Sequence, residues 1–373
     1  MQPSIEETLK GNTQIMRLST TVVLAILFAV LSARAAAAPC TTATAACSEM
    51  VAIPGSKGGV LIYRSHPLGA RNAAITRGLI VIHGLLRDAD SQFRSATAAA
   101  FLANALGDTL VIAPRFASND RRSCKDEVAP GELLWHCQPG ADTWRHGGEA
   151  IEASVNSFDV VDELLRRLND RSVFPNMRAI VLFGHSAGGQ YVNRYAMANT
   201  IHEGLAVKPA YIVANPSSYA YFDELRPTRR AYVSTEVAAV PGYWEPLPSA
   251  PGPEFRPYGD RANCTTYDSW PYGMQHRVGY AAKVDPEQMK KNLAARAVTY
   301  MVGEYDIFPA YGFDASCAAM AQGPTRVARG LAYAKYVERF GAKHSLVVVD
   351  TCAHSARCVL TSEQVLPLLF PKD

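Results

Sequence analysis

Gly184-His185-Ser186-Ala187-Gly188 fits the pattern G-x-S-x-G. A serine hydroxyl is a weak nucleophile until a base takes its proton, and the usual base is a histidine oriented by a third group. So short a pattern recurs by chance, and its surroundings give it meaning. The apolar run Ala179-Ile180-Val181-Leu182-Phe183 leads into it, and a helical stretch from Ala187 to about Asn199 leads away. A strand-to-helix turn pushes the serine Oγ out at the carboxyl end of the strand. The glycines suit a tight turn that other backbone passes closely. The helix N-terminus offers N–H groups to a developing negative charge. The bland alternative is a structural turn that happens to hold a serine.

The elements that would position this turn alternate along the chain. Val60–Tyr63, Leu79–Ile82, Thr109–Ala113, Ala179–Phe183, Ala210–Ala214, Ala297–Val302 and Leu346–Val349 read as strands. Leu79–Ile82 is apolar throughout, as a strand buried on both faces should be. Ile151, Val155, Phe158, Val161, Leu165 and Leu168 recur at helical spacing before Pro175, and Val327–Arg339 reads as a later helix. This rhythm predicts an α/β fold, a mostly parallel central sheet with helices on both faces. Two stretches break it. Ala117–Ala150 is polar and holds Cys124 and Cys137. Ser217–Pro286 is long, aromatic and Pro-rich, and loops of that size tend to be lids or binding segments. Both are expected as insertions over one end of the sheet. Residues 217–286 would form a lid, with Tyr219, Trp244 and Trp270 as candidate substrate contacts. The other reading is that its aromatics build a small satellite core.

From about Val60 to Leu369 the chain resembles the α/β-hydrolase superfamily. The motif with its strand and helix carries the likeness, together with Ile80-Val81-Ile82-His83-Gly84-Leu85, which stands where that family has its oxyanion-hole segment. The resemblance implies that the backbone N–H groups of Leu85 and Ala187 form the hole, each such donor being worth about 3–4 kcal/mol. It makes His83 a structural residue at the loop base. The family's chain order is nucleophile, acid, histidine. It implies Asp306 as the acid, in Gly303-Glu304-Tyr305-Asp306 after the second later strand, with Glu304 and Asp223 as alternatives. His354 follows the last strand and is the implied base, since His344 precedes that strand at the wrong end of the sheet. Such a triad works through an acyl-enzyme and needs no cofactor. Exported esterases, polyhydroxybutyrate-type depolymerases and feruloyl-type esterases are the nearest likenesses, by architecture only. The expected function is therefore carboxylester hydrolysis on a small or polymeric ester. Peptide or amide hydrolysis, or an inactive hydrolase fold that only binds, are the alternatives.

The 373 residues are 48% hydrophobic and 19% charged, with a formal net charge of +3, so they can build a sizeable core and show no patch suited to nucleic acid. The pairs Arg121–Arg122 and Arg229–Arg230 read as solvated surface. Arg17, the apolar run Val22–Leu31 and the small residues up to Ala38 read as a secretory signal over residues 1–38, with 1–15 as a possible upstream extension. Cleavage after Ala35 or Ala38 would leave a mature domain of residues 39–373, secreted or periplasmic and without a stable membrane anchor. The eight cysteines all lie beyond that point, and an even number in an exported chain suggests disulfides. Closeness in sequence favours Cys124–Cys137 and Cys352–Cys358, with Cys40–Cys47 and Cys264–Cys317 as the remaining pairs. Cys352–Cys358 would brace His354. No Cys or His spacing suggests a metal site.

Overall fold

A computed structural model describes residues 38–119, 124–137, 143–228, 253–309 and 312–372, with the backbone of Tyr232–Ser234 and Trp244–Pro246. The proposed signal segment, the Trp244 side chain and both arginine pairs lie outside the described residues.

The strands are β1 (Ser48–Ala52), β2 (Gly59–Arg64), β3 (Arg77–Ile82), β4 (Thr109–Pro114), β5 (Ala179–His185) and β6 (Pro209–Ala214), then the short β7 (Leu225–Pro227), β8 (Tyr232–Ser234), β9 (Trp244–Pro246) and β10 (Phe255–Pro257), and finally β11 (Val298–Gly303) and β12 (Ser345–Val349). Eight form one sheet in the order β1-β2-β4-β3-β5-β6-β11-β12. From β4 to β12 every pairing is parallel, and β2 runs against both of its neighbours. The serine strand β5 lies between β3 and β6, so strand ends converge beside it from both sides.

Alternation along the strands separates two cores. Ile80, Ile82, Leu110, Ile112, Ile180, Leu182, Tyr211 and Val213 face one side. There they meet α2 (Ser157–Leu168), α3 (Ala187–Ala198), α4 (Pro286–Ala295) and α6 (Arg326–Glu338). Leu79, Val81, Val111, Ala113, Val181, Phe183, Ile212 and Ala214 face the other side, against α1 (Ala89–Leu102), α7 (Ala356–Thr361) and α8 (Leu366–Leu369). The remaining short helix, α5, is Cys317–Met320. The parallel sheet with helices on both faces is the architecture read from the sequence. No helix among the described residues is long and apolar enough to cross a membrane.

Three readings need correction. The helix expected from Ile151 begins at Ser157, because the Asn156 N–H donates to the Asp159 carboxylate (2.7 Å) and stops the helix there. Val155 still points into the core, which is why its spacing looked helical. The edge strand β1 has only one buried residue, Val51, and so gave no apolar run to read. Two of the three contacts expected from 217–286 lie in the core. Tyr219 is fully buried, its ring 4.4 Å from that of Tyr333 on α6, and its backbone is clamped by both ends of the Gln322 amide. Trp270 is 3% exposed, and its Nε1–H donates to the His146 carbonyl (3.1 Å). Neither is free to meet a ligand. Aromatic composition signals burial as readily as binding.

The structure pairs the eight cysteines as Cys40–Cys47, Cys124–Cys137, Cys264–Cys317 and Cys352–Cys358. The third joins the aromatic segment to α5.

Trp270→Ala should lower unfolding stability by about 3–5 kcal/mol, the range for a large buried aromatic. Denaturant titration checks this, and a loss below about 1 kcal/mol would mean that the ring is not core.

Candidate active site

Ser186 sits between β5 and α3 with φ 59° and ψ −119°, a conformation that side chains other than glycine rarely adopt. The surrounding backbone enforces it. A Cβ on Gly184 would overlap the Gly188 carbonyl, and one on Gly188 would overlap the Ile82 carbonyl. The Ser186 N–H donates to Ala214 O at the end of β6 (3.0 Å). The turn is thus wedged between the carboxyl ends of β3 and β6, and the hydroxyl faces the open end of the sheet.

His354 comes from the loop after β12. Its Nε2 lies 2.9 Å from Ser186 Oγ and its Nδ1 lies 2.7 Å from Asp306 Oδ2. Asp306 follows β11 by three residues, and its loop docks on the histidine loop. The Tyr305 N–H donates to Cys352 O (2.9 Å), and a Cβ on Gly303 would meet Cys352 O at 2.6 Å. The Cys352–Cys358 disulfide closes the chain around His354.

Asp306 is 2% exposed, and burial alone would raise its pKa. The hydrogen bond and charge of His354, the Arg326 guanidinium (3.3 Å) and the Asn215 amide, which donates to Oδ2 (2.6 Å), outweigh burial and hold the carboxyl below its usual value. An ionised carboxylate only accepts, so His354 Nδ1 carries the proton and Nε2 is left to accept from the serine. His185, its ring 4.7 Å from that of His354, is held well below its ordinary pKa by burial and then by the His354 charge. It therefore adds no cation beside the His354 ring.

The His83-Gly84-Leu85 segment lies against the serine, since a Cβ on Gly84 would come 3.9 Å from Ser186 Cβ. His83 is pushed down to about 4, chiefly by burial. Its Nε2 accepts from the Phe116 N–H (2.9 Å) and its Nδ1–H donates to Gly84 O (2.9 Å), which fixes the loop base. Arg87 donates to Leu85 O (2.7 Å) and pairs with Asp126 at 2.6 Å. Asp126 in turn accepts from the Ser118 N–H (2.8 Å). Among the described residues the N–H groups of Leu85 and Ala187 donate to no protein group.

The alternatives lie elsewhere. Glu304 accepts from the Thr351 N–H, and Asp223 pairs with Arg339 at 3.8 Å. His344 is tied to Leu293 O and Tyr300 Oη. Sequence reasoning missed Asn215, Arg326, Arg87, Asp126 and Ser217, whose Oγ accepts from Arg326 Nε. Only Asn215 left a signal, as a polar residue directly after a buried strand, where sites of open α/β sheets lie.

No protein-family model matches the sequence, and no curated protein sequence matches it. Among solved structures, LpqC, a poly(3-hydroxybutyrate) depolymerase from Bordetella parapertussis, aligns at TM-score 0.53 and 21% identity, covering 84% of each chain. Poly(aspartic acid) hydrolase-1 from Sphingomonas sp. KT-1 aligns at TM-score 0.53 and 18% identity, covering 87% of this chain and 97% of that one. This likeness is one of fold, and it agrees with the strand order and the turn at Ser186. The chain has the α/β-hydrolase fold. In α/β-hydrolase terms, the turn stands at the position of the nucleophile elbow, and β3, β5, β11 and β12 each lead directly into a segment of the candidate site.

The low pKa of Asp306 fixes the sign of one stability effect. A carboxyl whose folded-state pKa is depressed contributes stability that is complete above its unfolded value and is lost as pH falls through the folded value. The stability gap between wild type and Asp306→Asn should therefore be full at about pH 7 and shrink below about pH 4. Denaturant melts across pH check this, and a gap that grows on acidification would contradict it.

Proposed function

We propose that the protein is a serine carboxylester hydrolase acting through an acyl-enzyme on Ser186. The observation that carries this is the continuous chain Ser186–His354–Asp306, at 2.9 and 2.7 Å, with the unused backbone N–H groups of Leu85 and Ala187. Its completeness also argues against an inactive binding fold.

His354 Nε2 takes the Ser186 proton as Oγ attacks the ester carbonyl. The oxygen of the tetrahedral adduct is held by the Leu85 and Ala187 N–H groups, which have no acceptor within the protein to give up. Asp306 keeps the imidazole in the accepting tautomer and stabilises the imidazolium. The alcohol leaves with the proton from Nε2. Water then gives a proton to the same nitrogen and attacks the acyl carbon, which releases the acid and restores the serine. An ester suits this site as the least demanding acyl substrate, because its alkoxide leaves more easily than an amide nitrogen.

Ser186→Ala should lose roughly 10⁶-fold in kcat and Asp306→Asn roughly 10⁴-fold, both staying folded. The assay uses p-nitrophenyl esters of increasing acyl length beside a peptide panel, and a fluorophosphonate should label Ser186 alone. Full ester hydrolysis by Ser186→Ala would overturn the assignment. Cleavage of peptides in preference to esters would move it to the amidase class.

Four disulfides and the apolar N-terminal run support an exported protein. Intact-mass analysis of the exported product should place its first residue between Ala36 and Pro39. A mass that retains residues 16–35 would mean an anchored protein.

A further inference from the structure

Four arginines, three of them buried, crowd one flank of the proposed site. The charge of Asp314 acts on Arg145, Arg194, Arg326 and Arg329, and Asp306, which also acts on Arg326, is engaged with His354. Three of the four use their donors on the chain itself. Arg194 donates to Pro271 O, Gln190 O and Ser218, Arg326 to Ser217 Oγ and Asp306, and Arg329 to Gly323 O and Ser217 O. Arg145 makes no hydrogen bond to any described residue, and its Nε is fully buried without a partner. Arg145 is half-buried, and a partly desolvated guanidinium with no partner gains when an anion meets it. Its surroundings offer no full match: Asp314 already accepts from Tyr272 Oη (2.7 Å) and from the Ser316 N–H (3.0 Å).

Two contacts link this patch to the His83-Gly84-Leu85 segment. Trp144, the neighbour of Arg145, packs its ring 4.5 Å from that of His83, at the base of the Gly84–Leu85 segment. On the other side, Asp314 is two residues from Gly312, where an added Cβ would come 3.4 Å from Leu85 Cδ2 and whose carbonyl accepts from Ser217 Oγ (3.2 Å). The unpaired guanidinium, the Tyr272 hydroxyl and the candidate oxyanion loop therefore share one end of the sheet.

We propose that Arg145 is a specificity residue that receives a carboxylate carried by the substrate, so that the preferred esters are anionic. This rests on the ester-hydrolase reading above. A guanidinium matches a carboxylate with two parallel hydrogen bonds, and its five donors are all uncommitted here. Arg194, Arg326 and Arg329 add a favourable field without competing for the ligand. The substrate's charge sits on its acyl side, as in a monoester of a dicarboxylic acid, or on its alcohol side, as in an acylated hydroxy acid.

The test compares kcat/KM for paired esters of equal length. One arm pairs a p-nitrophenyl dicarboxylate monoester with its neutral methyl-capped counterpart. The other pairs an acylated hydroxybenzoate with the matching benzamide. Wild type should favour the anion in one arm by about tenfold or more, mostly through KM, and that arm identifies the side that carries the charge. Raising the salt should shrink the preference. Arg145→Met should bring the ratio to about one, and Arg145→Lys should restore part of it. Equal rates for anionic and neutral esters in wild type overturn the proposal, whether or not the variants fold. So does a preference that survives in folded Arg145→Met. Those outcomes leave the hydrolase reading intact, whereas Ser186→Ala hydrolysing the neutral esters as fast as wild type removes both.

Discussion

The backbone of Ser186 is held where a serine would not rest by itself, and the site is built around that constraint. A positive φ at a residue with a Cβ persists only when its neighbours leave no alternative. Gly184 and Gly188 let the turn close against the carbonyls of Gly188 and Ile82, and Ala214 O receives the serine N–H. Those contacts exist because β3, β5 and β6 lie side by side in parallel register. The strand order is therefore what holds the hydroxyl in place. A change of strand pairing would release the turn.

A second constraint is electrostatic. Asp306 is buried, and a buried carboxylate needs partners. It has three, from three parts of the chain: Asn215 after β6, Arg326 at the start of α6 and His354 after β12. Asn215 and Arg326 help keep the carboxylate ionised without competing for the imidazole, and Arg326 also ties in Ser217 on the next segment. The charge that supports the base is thus fixed by groups outside the motif that first drew attention.

How much of this was legible in the sequence follows from how local each signal is. Gly184–Gly188 could be read because strand, turn and helix are contiguous, and Asp306 and His354 because the resemblance to the α/β-hydrolases implied a chain order of nucleophile, acid and histidine that could be counted along the strands. The roles of Arg326, Arg87 and Asp126 were not legible, since they depend on which distant loops meet, and an arginine is usually solvated. Tyr219 and Trp270 were misassigned for the converse reason: a run of aromatics in a long connection says that apolar surface must be covered, but not by what. Tyr219 found Tyr333, and Trp270 found the His146 carbonyl. The start of α2 was misplaced because Val155 is buried outside the helix at a helical spacing.

The contact between Ser186 and His354 joins positions 168 residues apart. It requires β6, β11 and β12 to be paired side by side outward from β5. For a chain made from its N-terminus, the elbow, held by β3 and β6, can be assembled while the residues that become β12 are still being added. Such non-local closure is slow compared with helix or turn formation. The turn at Ser186 can therefore stand before His354 reaches it, and on the proposed function any partly folded form with β12 undocked would hold the serine without its base.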